Sequence, residues 1–406
     1  MNLLFAWRYF RAKKSTNAIN IIAWVSMSAI VVGAASLILV LSVFNGFEDL
    51  VKSLYTSFYP DLKVTPAAGK TFTLTPDHIQ QLRAVSGVKA ISMVVEEQVV
   101  FLNDSSLFKS SYLKGVDSNF TRVSGVAGKV DLGNYSLGTA DQPLAVLGSG
   151  VDNALAVDPD KNVQPIEVYL FRRGSPTADP LASYSHAWLG TAGEFRIQED
   201  FDDHYVFTNL AFVKQMMGLG PDEYGGVEVA VSDPARVAEV QQSIRQLLGK
   251  SYKVQTRYEQ NQDLYSVMDT EKWVIYIVLT LILIVAAFNM VGALTMLVWD
   301  KQKDIHVLKA LGAGNRLVRK IFLTEGVLLG LMGGMTGIGL AALICVLQLK
   351  YKLIPLEGGS FLLDYYPVKM VPSDFLLVFA TILMVAILAS WIPARKAAAT
   401  PIELKS

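Results

Sequence analysis

The acidic turn EDFDDH, residues 199–204, is the densest cluster of side chains in this chain that could do chemistry. It places four carboxylates beside His204, and carboxylate and imidazole groups are common metal ligands. The turn could therefore hold a metal ion, or it could be an ordinary solvated turn. The other histidines add nothing to it, because no two histidines have H-E-x-x-H spacing. We favour the solvated turn and predict no metal site.

Covalent and nucleotide chemistry have no supporting motif in the sequence. A G-x-S-x-G serine elbow and a G-x-x-x-x-G-K-[ST] phosphate loop are both absent. The glycine run GLMGGMTGIG, 330–339, lies in an apolar stretch and is not followed by lysine. Its pairs Gly330/Gly334 and Gly333/Gly337 have the small-xxx-small spacing of closely packed membrane helices. We predict a helix-packing role for them, and neither a catalytic residue nor a cofactor in this chain.

The segments that carry these residues are apolar enough to lie in a membrane. Hydrophobic residues make up 52% of the 406, and the mean hydropathy is +0.36. A helix needs about 20 apolar residues to cross a bilayer, and four segments reach that length: 19–44, 273–298, 321–349 and 374–392. The first is too long for the apolar core of a signal peptide, so we predict an uncleaved anchor. The net charge of zero gives no reason to expect a nucleic-acid partner.

Basic residues near the span ends predict the orientation of the chain. Lys and Arg are concentrated in the N-terminal segment 1–18, the loop 299–320 and the tail 393–406. We therefore predict that both termini and this loop are cytoplasmic. Residues 45–272 and the short loop 350–373 then lie on the outer side.

Residues 45–272 alternate strand and helix signals, which predicts a large mixed α/β domain between the first and second spans. Runs rich in β-branched residues indicate strands at 90–102, 143–148, 165–171, 193–197 and 226–231. Two helices begin at a capped proline, after Thr75 and after Asp233, and Gly249 ends the second.

Two further features of this region bear on function. Apolar residues recur at helical spacing in 47–58 and again in 264–268, which predicts helical stalks at both ends of the domain. Interfacial helices are the alternative. The segment 172–185 contains Arg173, Pro176, Pro180 and small polar residues, a composition typical of an exposed loop.

The loop between the second and third spans is more structured than a simple connection requires. Asp304, Val307, Leu308 and Leu311 recur at helical spacing, so a helix is predicted from Lys301 to Leu311. Gly312 can supply the left-handed residue that ends this helix, and Asn315 can cap the next one.

Two roles fit this short helix equally from periodicity alone. It could place Ile305 and Leu308 in the groove of a partner protein. It could also be an interfacial helix held by lipid headgroups. Within the second span, Asn289 is a polar group that could bond another helix or line a substrate path.

The segment FNMVGALTMLVWDKQKDIHVLKALGAGNRLVRKIFLTEGVLLGLMGG, 288–334, resembles the signature of the FtsX-like (MacB-type, type VII) ABC permease superfamily. In particular it resembles the transmembrane subunit of the bacterial lipoprotein-releasing (Lol) system. The core KQKDIHVLKALGA, 301–313, has Gln302 where the family often has a basic residue. The N-terminal segment 3–48, which includes Asn-Gly-Phe-Glu, and the tail SWIPARKAAATPIELK are also similar to the family.

This resemblance implies a four-span, membrane α-helical permease of the bacterial inner membrane that is not itself an enzyme. It implies a second permease subunit, identical or paralogous, and two copies of a cytoplasmic ABC ATPase that bind ATP and Mg. The positions that carry over to the ATPase-coupling loop are Lys301, Asp304, Ile305, Leu308, Lys309, Leu311, Gly312 and Ala313.

The resemblance also implies a substrate and a route. The substrate is an acylated lipoprotein, passed from the outer leaflet to a periplasmic carrier by movement of the outer domains. The acyl chains are expected near Phe44, Phe47, Phe288, Asn289 and Met290. The loop 172–185 is a candidate hook for the carrier. Membrane lipids are further expected partners.

Other functions in reach are cell-division signalling through wall hydrolases, efflux by a macrolide-exporter type of permease, and a sensor with an outer ligand domain. The outer region 45–270 is larger than is usual for the signalling permeases. The efflux chains typically carry a fused ATPase. A sensor would need a cytoplasmic output module. We therefore predict lipoprotein release, with another permease of this superfamily as the alternative.

Overall fold

The computed structural model describes residues 17–104, 106–157, 165–171, 184–356 and 365–399. The chain divides between Leu50 and Val51, and again between Tyr265 and Ser266, into two compact units. We call the unit made of the described residues up to 50 and from 266 onward the membrane bundle. Residues 51–265 form the α/β domain.

The α-helices are, in chain order, α1 Asn17–Phe58, α2 Pro76–Ala84, α3 Ser149–Leu155, α4 Glu199–Asp202, α5 Leu210–Met217, α6 Val237–Leu248, α7 Arg257–Gln260, α8 Gln262–Asp300, α9 Gln302–Ala310, α10 Asn315–Tyr351 and α11 Pro372–Ala399. The strands are β1 Leu62–Pro66, β2 Phe72–Thr73, β3 Val88–Leu102, β4 Phe108–Val116, β5 Val130–Gly133, β6 Leu144–Gly148, β7 Ile166–Phe171, β8 Tyr184–Phe195, β9 Tyr205–Asn209, β10 Glu223–Tyr224, β11 Gly226–Val231 and β12 Tyr252–Thr256.

Four of these helices, α1, α8, α10 and α11, are long and apolar enough to cross a membrane. They contain the predicted spans, and the four-span fold is confirmed. Two of them run far past the predicted boundaries. Helix α1 continues unbroken to Phe58, and α8 begins as early as Gln262, so the segments predicted as stalks are helical extensions of the spans.

Glycines on two sides of α10 let two other helices approach closely. A Cβ atom at Gly330 would lie 2.4 Å from Ala386 Cβ on α11, and one at Gly337 would lie 2.4 Å from the Val31 carbonyl oxygen on α1. Both distances are too short for a side chain. The small-xxx-small pairs therefore serve helix packing, as predicted, with one glycine face for each neighbour.

A polar cluster joins three helices of the bundle at the Asn-Gly-Phe-Glu motif of α1. Asn45 is buried and donates to Asp374 Oδ2 over 2.6 Å, while Lys272 donates to Asn45 Oδ1 over 2.9 Å. A Cβ atom at Gly46 would lie 2.3 Å from the Pro367 carbonyl oxygen. The motif therefore joins α1 to α8 and α11, and its glycine gives room for the chain before α11.

The α/β domain is built on a ten-stranded sheet with a closed part and an open part. Strand β7 pairs with both β3 and β8, which closes β3, β4, β9, β6, β8 and β7 into a ring. Pairings in the ring are antiparallel except β4 with β9 and β6 with β8. Strands β11, β1 and β12 extend the sheet from β3, and β5 pairs with β8.

Each part of the sheet has its own apolar core. One core joins strands of the ring to α3 and α5, through residues such as Phe101 and Leu147. The extension packs against α2 and α6 through residues such as Val229 and Ile244. The mixed α/β prediction is confirmed. Each predicted strand run overlaps an observed strand.

The capping signals of the two predicted helices are also observed. The Thr75 side chain accepts a hydrogen bond from the His78 N–H, and the Asp233 side chain accepts one from the Ala235 N–H. A 3₁₀ turn, Pro234–Arg236, precedes α6. Gly249, with φ 76°, ends α6.

The interpretation of EDFDDH as a solvated turn is wrong for its middle residues. Phe201 and Asp202 are buried, and Asp202 accepts a hydrogen bond from the Ile197 N–H over 2.8 Å. His204 Nδ1 lies 2.9 Å from the Asp200 carbonyl oxygen. Among the residues that the structure describes, no three His, Cys, Asp or Glu side chains form a group that could hold a metal ion.

Candidate functional site

Helix α9 occupies the loop between the second and third membrane helices and is slightly shorter than predicted. It spans Gln302–Ala310, with Lys301 before it and Leu311 after it. Gly312 has φ 92°, so the predicted left-handed residue is present. The Ala313 N–H donates to the Leu308 carbonyl oxygen, which satisfies one of the free carbonyls at the helix end.

The predicted cap of the following helix is wrong by one residue. Gly314 is the residue before α10, and Asn315 is the first helical residue. The glycine at this position has extended backbone angles, φ −71° and ψ 158°, which are typical of a cap. The turn between α9 and α10 therefore consists of only four residues, Leu311 to Gly314.

Ile305 has a different environment from the one predicted. It is 1% exposed and packs in a cluster with Val298, Val318, Phe322, Ala394 and Ala397. These neighbours belong to α8, α10 and α11. Ile305 therefore anchors α9 to its own chain, and the prediction that it enters a partner's groove is wrong.

The apolar surface that α9 leaves exposed comes from other residues. Val307 is 60% and Leu311 is 81% exposed, and Leu308 is partly exposed. Large apolar side chains at such exposure are typical of a contact surface when they are adjacent on one element. Leu308 and Leu311 belong to the predicted coupling set, whereas Val307 does not.

The polar members of the predicted set hold α9 in place. Asp304 forms an ion pair with Lys301 over 3.3 Å, one turn apart. Lys309 Nζ donates to the Ala398 carbonyl oxygen over 2.8 Å, near the end of α11. The Lys301–Asp304 pair is local to the start of α9, whereas Lys309 and the buried Ile305 connect α9 to other helices of the bundle.

The residues predicted near acyl chains do not form one cluster. Phe288 is 68% exposed and Asn289 is exposed, whereas Met290 is 1% exposed in the core of the bundle. Met290 is therefore a packing residue and not a lining residue. Phe44 and Phe47 are partly exposed, and the Phe47 ring makes an edge contact with Tyr366 at 5.9 Å.

Phe288 borders an apolar groove of about 230 Å³ between α8 and α11. Its other walls include Ile284, Val291 and Leu388. Asn289 contributes its backbone carbonyl oxygen to another helix, since it accepts a hydrogen bond from Ser26 Oγ over 3.1 Å. In the described part of the chain, the Asn289 side chain makes no hydrogen bond to a neighbouring helix, so that alternative is not supported.

The candidate hook residues Arg173, Pro176 and Pro180 lie outside the described residues. The last two residues of the predicted loop, Tyr184 and Ser185, already belong to strand β8.

Sequence reasoning missed two buried acids in the described part of the bundle, Glu325 and Asp374. Glu325 is buried in α10, within the predicted third span. The available signal was a single carboxylate in an apolar run, and such residues are rare and often functional.

Two family models together cover nearly the whole chain. The MacB-like periplasmic core domain matches residues 23–247, and the FtsX-like permease C-terminal domain matches residues 276–402. The chain belongs to the MacB-type, FtsX-like permeases. The α/β domain is accordingly the periplasmic core domain of this family, and α9 lies inside the permease domain.

Individual relatives are similar along the full length of this permease. It is 28% identical over 413 residues to the lipoprotein-releasing system transmembrane protein LolE of Haemophilus influenzae, covering 97% of this chain and 96% of that protein. It is 24% identical over 422 residues to LolC of Neisseria meningitidis, covering 98% and 97%. It is also 24% identical over 412 residues to the pyoverdine export ATP-binding/permease protein PvdT of Pseudomonas fluorescens, covering 97% of this chain and 57% of that protein.

Proposed function

We propose that this permease is the transmembrane subunit of an ABC-type complex that releases acylated lipoproteins from the inner membrane to a periplasmic carrier. The observation that carries the proposal is the end-to-end similarity to LolE and LolC. The match to PvdT extends over little more than half of that protein. Because that relative is an export protein matched over only part of its length, efflux of a small molecule is the second candidate.

In this proposal the energy comes from partner subunits. Two copies of a cytoplasmic ATPase bind ATP and Mg, and the chain itself has no catalytic role. A second permease subunit, identical or paralogous, completes the membrane part. Both termini and α9 are on the cytoplasmic side, in line with the Lys and Arg distribution.

Helix α9 is the element through which the ATPase moves the permease. The docking surface consists of Val307, Leu308 and Leu311, because these are the apolar side chains that α9 and the residue after it expose. Lys309 orients the helix through the Ala398 carbonyl, Lys301 and Asp304 pair across its first turn, and Gly312 and Ala313 form the turn that keeps it short. Ile305 transmits the movement, since it packs on three membrane helices of the bundle.

The substrate's acyl chains would contact the exposed apolar side chains of the bundle. Phe288, at the groove between α8 and α11, is the best exposed of the candidates, and Phe44 and Phe47 are partly exposed. The segment 172–185 is proposed as the carrier hook on its composition alone.

Lipoprotein transfer tests the proposed function. The permease, purified with its ATPase and reconstituted in proteoliposomes, is expected to carry acylated protein and to pass it to a soluble acceptor only when ATP is hydrolysed. Absence of both the co-purified lipoprotein and the transfer would reject lipoprotein release. Stimulation of ATP hydrolysis by a small exported molecule instead would support the efflux candidate.

The docking surface is tested with a matched pair of variants on α9. Replacing Leu311 with Ser removes a large exposed apolar side chain and is expected to abolish ATP-driven transfer and ATPase binding. Replacing Ala310 with Ser changes a neighbouring exposed residue with little apolar area and should leave both intact. Normal ATPase binding by the Leu311→Ser protein would show that the docking surface lies elsewhere.

A further inference from the structure

The last turn of α1 is packed into the periplasmic domain rather than exposed on it. Phe58, the final residue of the helix, is 2% exposed. Its ring stacks on Phe201 at 4.1 Å with an interplanar angle of 9°, and it makes edge contacts with Tyr205 and Phe207. Aromatic contacts of this kind have preferred geometries, so they resist rotation as well as separation of the helix end.

A buried cation closes this aromatic cluster. Lys114 Nζ lies 5.4 Å from the centre of the Phe58 ring, 5.2 Å from that of Phe120 and 5.8 Å from that of Phe207. It also pairs with Glu228 over 2.6 Å, and both side chains are buried. Removing both charges from water costs free energy, and the attraction between them offsets this cost only when the two side chains are held in good geometry. A cation here is favoured by the ring faces and by the negative end of the α1 dipole.

Hydrogen bonds hold the backbone of the same turn. The Ser57 carbonyl oxygen accepts from the Gly125 N–H over 2.9 Å and from Ser124 Oγ over 3.1 Å. Arg257 Nε donates to the Tyr59 carbonyl oxygen over 3.1 Å, and its guanidinium pairs with Asp61 over 2.8 Å. Two backbone carbonyls at the end of α1 are thus satisfied by two distant parts of the domain, residues 124–125 and Arg257.

We call the residues that enclose the end of α1 the socket. We propose that the socket is a fixed joint through which α1 moves the periplasmic domain as one body. Its positioning residues are Phe58, Lys114 and Arg257. The proposal rests on the proposed ATP-driven function. Helix α1 is continuous from Asn17 to Phe58, so a displacement of its apolar part is carried along the helix. The packed rings, the buried pair and the capped carbonyls hold the end of α1 against the domain.

The end of α1 can be linked to the domain by an engineered disulfide between positions 57 and 125. A Cβ atom at Gly125 would lie 3.6 Å from Ser57 Cβ, and disulfides need Cβ atoms about 3.5–4.5 Å apart. Gly125 has φ −86°, so a side chain is tolerated there. The only native cysteine is Cys345, which can be replaced by Ala.

The decisive experiment uses the Ser57→Cys/Gly125→Cys permease in a Cys345→Ala background, assembled with its ATPase in proteoliposomes. If the joint is fixed, the oxidised complex transfers lipoprotein at the rate of the reduced complex. If α1 pivots against the domain during each cycle, oxidation blocks transfer and reduction restores it, and the proposal is overturned.

A rescue experiment separates positioning from simple stability. Phe58→Ala is expected to lower transfer per ATP hydrolysed by about tenfold or more, since small misplacements are costly, while ATPase activity continues. The disulfide should restore transfer in this variant when oxidised. Undiminished transfer in Phe58→Ala, or no rescue by the formed disulfide, would contradict the joint. If Phe58→Ala fails to insert, Phe58→Leu takes its place.

A distance measurement tests the joint independently of lipoprotein transfer. Spin labels at Thr56→Cys on α1 and Asp141→Cys on the domain, both exposed positions, should keep one distance with and without ATP in the assembled complex. A change of distance on ATP binding would overturn the joint. Failure of lipoprotein transfer by the unaltered permease, with this distance constant, would count against the proposed function alone.

Discussion

The two junctions of the periplasmic domain with the membrane helices are built differently. Helix α1 enters without a break, and its end is enclosed by the rings around Phe58. On the other side, the short helix Arg257–Gln260 is followed by Asn261, whose φ −126° and ψ 35° interrupt the path into α8. One junction consists of buried aromatic packing, and the other of local turns.

The forces that hold the second junction are hydrogen bonds near the surface. Thr256 and Glu259 form a capping box, and Glu259 also accepts from Gln241 and Arg245. Few buried apolar side chains contribute, and regions of this kind open locally at low cost. The proposed fixed joint rests on this difference, because the end of α1 is packed into the domain whereas the path into α8 is interrupted at Asn261.

The largest expected difference between the junctions is in their response to truncation. Phe58→Ala should destabilise the periplasmic domain by about 3–5 kcal/mol, as is usual for a buried phenylalanine. The measurement is hydrogen exchange of 199–209 in the full-length permease, compared with Phe108→Ala at an exposed ring. Equal protection in the two variants would remove the basis of the comparison.

The buried pair of the first junction should show strong coupling. Lys114→Met alone leaves Glu228 buried without its cation and is expected to cost about 3–5 kcal/mol. The double variant Lys114→Met/Glu228→Gln should cost clearly less than Lys114→Met, because no unpaired charge remains. Thermal unfolding of the four proteins of this cycle gives the coupling, and simple additivity would mean that the pair is not a unit.

The two junctions should also respond oppositely to pH. Burial raises the pKa of Asp202, beside Phe201 of the socket, to about 6 from 3.8. The folded domain therefore holds this proton more tightly than the unfolded chain, and the stability it contributes is lost as pH rises from about 4 to 6. Asp202→Asn should flatten this part of the stability profile, and an unchanged profile would contradict the assignment.

At the second junction the sign is reversed. Burial alone would raise the pKa of Glu259, but the Thr256 N–H, Gln241 and Arg245 outweigh it and hold the pKa below its usual value. This contribution is present above the unfolded pKa and is lost as pH falls through the lowered folded value. The protection factors of the amides 257–260, corrected for the intrinsic exchange rate at each pH, should fall on acidification, and Glu259→Gln should remove that fall.

The smallest effect is expected for the cap of the second junction. Thr256→Ala removes one side-chain acceptor and should cost about 1 kcal/mol, felt in the first turn of 257–260. Thr56→Ala is a matched control, because the Thr56 hydroxyl only bonds back to the Lys52 carbonyl oxygen within α1. A larger loss from Thr256→Ala than from Phe58→Ala would reverse the proposed order of the junctions.

Features that depend on a few neighbouring residues could be predicted. Hydropathy indicated four membrane helices, and spacing indicated the two glycine pairs of α10. The capping residues Thr75 and Asp233 and the left-handed Gly312 were also recognisable, because each satisfies a local backbone requirement. The coupling, hook and carrier roles depend on partner proteins and stay predictions.

Features that depend on distant neighbours could not be predicted. Ile305 and Leu311 are both apolar residues of one short helical segment, yet one is buried and the other exposed. Their difference comes from Val318 and Ala394, which other helices bring to Ile305. Met290 and Phe288 differ in the same way, because periodicity gives the faces of a helix but not what covers them.

Chain-local rules thus accounted for helix number, helix ends and close-packing glycines, since backbone hydrogen bonding and apolar length act over a few turns. The socket of α1 required the folded domain. Phe58, Lys114, Phe201 and Glu228 are far apart in sequence and meet only because β4, β9 and β11 belong to one sheet. A buried lysine is stable only where a carboxylate and ring faces surround it, and that surrounding exists only after the sheet has formed.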